Sequence, residues 1–396
     1  MPRDQYNELV RGLHRSGQMQ SAFVYLDTLK PELLTRWAEV SSIYSPSGDE
    51  ASRAEFMVER LRECGFKNAH IDDHGNAVAW LDGEDEGPTL AFFGTMDDLA
   101  TVAEMVKNTG EDRRIADGRI HGPGTNIGAT LVTVLALAKL LRLPDQGIRG
   151  RVYLVCVTQE ETGLAGARGF IEDHVNEIDC LVDIMAGIGR ICYGALGIHW
   201  FKVHFNGPRG HTLRSEGPNV TKGVARAVDR VWALDLPSEP EEDRVYLNIS
   251  MLGAGKVYNH KHDDGWFSVD LRSLNNKNLE ETRRRIVEIA KDVAATEGLG
   301  FWVEDHQKGA AGLLPGAREN ELVRVAEESC MVLGVEPNVS PRGSSNMNVG
   351  IRRGISSISI GGERGGGRNT AEEYANLEPV FNGVRWCFLI AKTLCR

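Results

Sequence analysis

An apolar run, Arg151-Val152-Tyr153-Leu154-Val155-Cys156-Val157, leads directly into Thr158-Gln159-Glu160-Glu161-Thr162-Gly163-Leu164-Ala165-Gly166-Ala167. Two adjacent carboxylates at the end of a buried-type strand are costly unless something uses their charge. A carboxylate held there can take a proton from water or hold a cation. The pair alone fits a solvated acidic loop equally well. Two further carboxylates raise the same question, Asp97 in Gly94-Thr95-Met96-Asp97-Asp98 and Asp183 ending Leu181-Val182-Asp183.

The elements that must position these residues alternate between strand and helix. Residues 1–45 read as helical, and Ser47 is placed to cap a following helix, with Glu50 as its capping-box partner, running to about Cys64. Ala77–Leu81 and Thr89–Phe93 read as strands, Ala129–Leu141 as a helix and Arg151–Val157 as a buried strand. The alternation predicts an α/β domain with a central mixed sheet and helices on both faces. Ligands in such sheets sit at the carboxyl ends of the strands, which selects the loops after Phe93, Val157 and Val182. From about residue 197 to 305 the pattern changes to an α+β block, with strands at 200–205, 246–250 and 266–271 and helices at 218–236 and 279–296. This predicts a first domain part over 1–196, an inserted domain over 197–305 and a second part of the first domain over 306–396.

With these strings the chain resembles the co-catalytic zinc hydrolases of the aminoacylase, peptidase T and succinyl-diaminopimelate desuccinylase family. The resemblance covers nearly the whole chain and implies a zinc-exopeptidase-like fold with an inserted lid and dimerisation domain. It implies that Glu160 is the general base, that Glu161 and Asp183 are metal ligands, and that Asp97 is the acid of the first metal motif. Gly207-Pro208-Arg209-Gly210-His211-Thr212, Gly253-Ala254-Gly255-Lys256-Val257-Tyr258-Asn259 and Asp270-Leu271-Arg272-Ser273 resemble the lid motifs. By that likeness His211, Asn259 and Arg272 bind the substrate's carboxylate or carbonyl oxygen.

Three metal positions depart from the family pattern. Thr95 stands where a ligand histidine belongs. The loop Gly122-Pro123-Gly124-Thr125-Asn126-Ile127-Gly128 has no acid, so Thr125 or Asn126 replaces the bridging aspartate. In Arg368-Asn369-Thr370-Ala371-Glu372-Glu373 the last histidine is replaced by Asn369, read here as a substrate contact, and upstream the family's Ser-x-Asp turn is Ser344-Ser345-Asn346. Zinc prefers imidazole, thiolate or carboxylate, so paired zinc ions are not expected. Glu160, Glu161, Asp183 and Asp97 would then converge without compensation. A proton on one of them would compensate. So would one labile Mn²⁺ or Mg²⁺ on Glu161, Asp183 and Asp97, a substrate ammonium, or Arg364 or Arg368. His260-Lys261-His262 is read as a turn rather than a metal pair, and His121 as a solvated turn residue. Lys256 is equally a surface lysine or a contributor to the clamp, and Tyr374 is a candidate donor near Asn369.

The remaining composition narrows the function. A net charge of −11 argues against nucleic-acid and anionic-membrane partners. No stretch has the length of a membrane span or the apolar core of a secretory signal. Seven scattered cysteines fit reduced cytoplasmic thiols. The expectation is a cytoplasmic enzyme that hydrolyses a C–N bond of a carboxylate-bearing small molecule without paired zinc, a homodimer through the inserted domain by the resemblance. The alternatives are a metal-independent lyase or isomerase, and a pseudo-hydrolase that only binds a ligand.

Overall fold

The computed structural model describes residues 3–110, 113–362 and 365–396; Arg364 lies outside them. The chain divides into two units, one comprising the residues up to Ala195 and from Leu313 onward, the other Leu196–Gly312.

In the first unit an eight-stranded mixed sheet runs, edge to edge, His70–Ile71, Ala77–Asp82, Arg151–Val157, Thr89–Thr95, Cys180–Ile184, Ser356–Ile360, Arg190–Cys192 and Asn338–Ser340. Its central strands, from Arg151–Val157 to Ser356–Ile360, are mutually parallel. Side chains alternate between the faces of a strand. Leu90, Phe92, Val152 and Leu154 therefore join one apolar core, while Ala91, Phe93, Tyr153 and Val155 join another with Phe170 and Ile171 of the helix Ala165–His174. Burial on both faces explains why these strands read as continuous apolar runs. Parallel strands also finish on one edge. Thr95 pairs in register with Val157, and Asp183 lies between Phe93 and Ser359.

The helix Thr125–Leu141 is buried almost throughout and packs against the helices Gly17–Ser42 and Leu377–Leu394. A Cβ on Gly128 would lie 2.1 Å from Ser41 Oγ and 2.9 Å from Trp37 Cδ1, so this close approach requires glycine. The helix starts four residues before the expected Ala129, which moves Thr125 and Asn126 from a loop into its first turn. The cause is not local: the buried carboxylate of Glu373 accepts from the Asn126 N–H at 2.8 Å and satisfies that helix end. The expected capping box is also corrected. The helix is Ala51–Glu63 with Glu50 itself at the cap position. Ser47 Oγ meets Thr162 Oγ1 at 2.6 Å instead.

The second unit is a five-stranded sheet. Val245–Asn248, Asp264–Ser273, Gly197–Asn206 and Gly300–Gly309 run in that order, and Leu252–Ala254 also pairs with Asp264–Ser273. Phe201, Val203, Phe205, Val269 and Leu271 pack with Val224 and Ile286 of the helices Val220–Trp232 and Asn276–Glu297. The strand Gly300–Gly309 went unread in the sequence and runs past the expected boundary at 305. It alternates only weakly, with Phe301 and Val303 half-buried at the sheet edge. All seven cysteines are unpaired, and burial pushes the Cys64 thiol up to about 11. Among the described residues no helix is long and apolar enough to cross a membrane.

Candidate active site

The strand Arg151–Val157 ends in a tightly held turn. Thr158 N–H donates to Asn76 Oδ1 at 3.0 Å. Gln159 takes a left-handed conformation, φ 53°, and the single helical turn Glu160–Gly163 closes on a second left-handed residue, Leu164. Asp97, fully buried, anchors that turn: Oδ1 accepts from the Glu160 N–H at 2.9 Å and Oδ2 from the Glu161 N–H at 3.0 Å. Glu50 Oε1 accepts from the Gln159 N–H at 2.9 Å and from the Gly48 N–H at 2.8 Å. Burial raises the Glu50 carboxyl, against the pull of those two amides. The side chains of Glu160 and Glu161 are half-buried. Asp97, Glu160 and Glu161 are thus brought together, with Asp97 acting through the backbone of the other two.

Asp98, next to Asp97, faces the other way. It forms a wholly buried ion pair with Arg53 at 2.8 Å, and Arg53 also donates to the carbonyls of Met96 and Ile43. Burial raises the Asp98 carboxyl even with Arg53 opposing. The pair holds the turn that presents Asp97.

Thr95 and Asp183 meet in a second cluster. Both are fully buried. Asn346 Nδ2 donates to Thr95 Oγ1 at 3.1 Å and makes a longer contact of 3.4 Å to Asp183 Oδ1. Met347 N–H donates to Asp183 Oδ2 at 3.3 Å, and the Thr95 hydroxyl donates to Met185 Sδ at 3.2 Å. Asp183 only accepts when ionised, so the Asn346 amide must turn its NH₂ towards it. Among the described residues no group of three or more His, Cys, Asp or Glu is arranged to hold a metal ion.

Asn126, with Thr125 one of the two candidates for the bridging position, belongs to a third cluster. Its Nδ2 donates to Glu373 Oε1 at 2.9 Å and to the Tyr374 carbonyl at 3.2 Å, and Thr125 Oγ1 lies 3.5 Å from the same Glu373 oxygen. Asn126→Asp would therefore not recreate a free metal ligand but set a second carboxylate against buried Glu373. The folded protein would bind a proton there more readily than the unfolded chain, so stability should rise as pH falls. We expect a loss of about 3 kcal/mol at neutral pH that shrinks as the solution is made acidic, measured by urea denaturation.

Asn369 is exposed on a left-handed turn, φ 65°, beside exposed Arg368. Tyr374 pairs with His121 in a small sheet, with the Arg119 guanidinium 4.4 Å from its ring centroid. His121 is thus a half-buried strand residue, not a solvated turn.

In the second unit His211 and Asn259 come together. The short strand Gly210–His211 pairs with His260–Lys261, which places His260 on a strand rather than in a turn. The Leu213 N–H donates to His211 Nδ1 at 3.2 Å, and Asn259 Nδ2 lies 3.4 Å from the other ring nitrogen, Nε2. His260 Nδ1 contacts Asn259 Oδ1 at 2.9 Å, whereas His262 Nε2 accepts from the Lys256 N–H at 2.8 Å, so the two histidines serve different partners. The Lys256 side chain is exposed. Arg272 is not part of this cluster. It lies on the strand Asp264–Ser273, opposite Tyr246 and Ile198, and its Nε donates to Asp270 at 3.1 Å.

Glu50, Arg53, Asn346 and Glu373 have site roles that the sequence reading missed. Glu50 stood in a string already singled out, and Asn346 occupied a turn already compared with the family. Glu373 closed the string Arg368–Glu373 already compared with the family, while nothing local marked Arg53.

Known proteins resemble this chain in sequence and in fold. Residues 96–393 match the family described as Peptidase family M20/M25/M40. The chain is 22% identical over 330 residues to the N-acetyl-L-cysteine deacetylase of Bacillus subtilis, covering 81% of this chain and 78% of that protein. The aminopeptidase PepT of Bacillus cereus superposes with a TM-score of 0.76 at 19% identity, over 93% of this chain and 99% of that one. A tripeptidase of Staphylococcus aureus does so with a TM-score of 0.78 at 20% identity, with the same coverage. The chain therefore belongs to peptidase family M20/M25/M40, as an enzyme of the hydrolase type.

Proposed function

We propose that this protein hydrolyses a C–N bond of a carboxylate-bearing small molecule without paired zinc ions, with Glu160 as the general base. The observation that carries this reading is the Asn346 amide directed at Thr95 and Asp183. It puts an NH₂ donor where the family resemblance calls for cation ligands. A cation would have to compete with the two bonds that Asp183 accepts and the two that Asp97 accepts. A hydroxyl that donates to a methionine sulfur is a poor zinc ligand. This donor set does not fit two zinc ions, and it also weighs against one labile Mn²⁺ or Mg²⁺ on Glu161, Asp183 and Asp97.

Glu160 is meanwhile held on an anchored turn, suited to take a proton from an attacking water. His211 and the Asn259 NH₂ are the contacts proposed for a substrate carboxylate, and Arg272 and Asn369 are further contacts in this reading. The N-acetyl-L-cysteine deacetylase among its relatives supports a small-molecule substrate. The family resemblance supports a homodimer through the second unit, and the unpaired cysteines are consistent with a cytoplasmic setting.

The test is turnover of a panel of N-acyl amino acids and dipeptides before and after exhaustive chelation. Turnover that survives chelation, in protein carrying no bound metal by elemental analysis, is the expected result. Activity that returns only on adding Zn²⁺ or Mn²⁺ would refute the metal-free part. A panel member that binds and is never turned over would favour the binding-only alternative.

A further inference from the structure

Three consecutive backbone N–H groups, those of Gln159, Glu160 and Glu161, are each received by a buried carboxylate from another part of the chain. Asp97 takes two of them and Glu50 takes the first. Glu50 is only 5% exposed. The same oxygen binds its own loop through Gly48 and the Gln159 turn, so it ties the two segments together at one atom. A second tie lies beside it, the Ser47 hydroxyl at 2.6 Å from that of Thr162.

This arrangement has a cost that a purely structural role would avoid. Gln159 is a non-glycine residue at φ 53°, and the left-handed region disfavours such residues by about 1–2 kcal/mol. Burial also penalises the ionised Glu50 carboxyl. Helix capping does not account for the burial, because the Glu50 side chain makes no cap bond to its own helix. What the bond to the Gln159 N–H does is hold the backbone immediately before Glu160. The left-handed residue reverses the chain there, so the direction in which Glu160 leaves the turn depends on it.

We propose that Glu50 is a positioning residue: by holding the Gln159 N–H it fixes the left-handed turn that aims the Glu160 carboxylate. The inference rests on the assignment of Glu160 as the base. Glu50 works through the backbone and touches no reacting atom.

The experiment compares Glu50→Gln, Glu50→Ala and Glu50→Asp in the full chain. Amide hydrogen exchange is followed at residues 159–161 and in the strand 151–157, together with kcat and KM on a substrate from the panel above. Glutamine keeps the acceptor oxygen, alanine removes it and aspartate withdraws it by one methylene. In Glu50→Ala and Glu50→Asp, exchange at 159–161 is expected to speed up about tenfold or more, with the strand unchanged. kcat should fall by a similar factor while KM stays within about twofold. Glu50→Gln is expected to restore both. Should alanine fail to fold, the aspartate and glutamine variants decide by themselves. Unchanged exchange at 159–161 in Glu50→Asp overturns the proposal, as does a folded Glu50→Gln that behaves like Glu50→Asp. If exchange responds as expected while Glu160→Gln retains full turnover, the fault lies in the role given to Glu160 and not in the hold on the turn.

Discussion

Replacing Glu160 by glutamine is expected to lower kcat by about 10²–10⁴, the contribution of a positioned general base, and to leave substrate binding within a few-fold of the native protein. The side chain keeps its length and loses only its ability to take a proton. Its backbone N–H remains on Asp97 at 2.9 Å and that of Glu161 remains at 3.0 Å, so the turn should persist. Binding by calorimetry and turnover on the same substrate make the measurement. Glu161→Gln is the control. If Glu161 held a catalytic cation, its loss would be as damaging as that of Glu160 and would respond to added metal. In a metal-free site it should cost less. Unchanged turnover in Glu160→Gln would remove the base from the mechanism.

Replacing Arg53 by methionine is expected to cost about 3–5 kcal/mol of stability, because it leaves the Asp98 carboxylate buried without its partner. Both members of the pair are inaccessible to solvent. Arg53 also supplies donors to the carbonyls of Met96 and Ile43, so its loss uncaps the segment that carries Asp97. The Asp98 carboxyl is already raised by burial, and removing Arg53 raises it further. A group raised in the folded state favours folding when protonated. The deficit in Arg53→Met should therefore be greatest above that raised value and shrink as pH falls through it. Asp98→Asn leaves the always-charged Arg53 guanidinium buried without its counter-ion, though still bonded to both carbonyls, so it too should be destabilising. Guanidinium denaturation of the two variants at neutral and mildly acidic pH separates these outcomes. A loss under about 1 kcal/mol in Arg53→Met would show that the pair contributes little.

The strands were legible because burial on both faces leaves an unbroken apolar run, as in Thr89–Thr95 and Arg151–Val157. The edge strand Gly300–Gly309 was not, since half-buried residues alternate weakly. The helix Thr125–Leu141 was found but started too late, because its first turn is completed by Glu373, far along the chain. The expected capping box at Ser47 and Glu50 failed for the same reason. Both side chains found partners across the fold, at Thr162 and Gln159, that no local pattern specifies.

Residue identity alone determined that the chain has acids at the ends of its parallel strands and lacks histidine at the metal positions. Spacing along the chain also separated an inserted domain from its host. Tertiary structure decided what those residues do. It set Asn346 against Asp183, made Asp97 an anchor for two amides, and placed Arg272 on a different strand from His211. Hydrogen-bond partners and burial depend on which distant segments meet, and the cost of an unpaired buried charge selects those partners. That Thr95 and Asn369 stand where the resemblance expects histidine is thus visible in the sequence, while the hydrogen bonds of Thr95 and Asp183 are visible only in the fold.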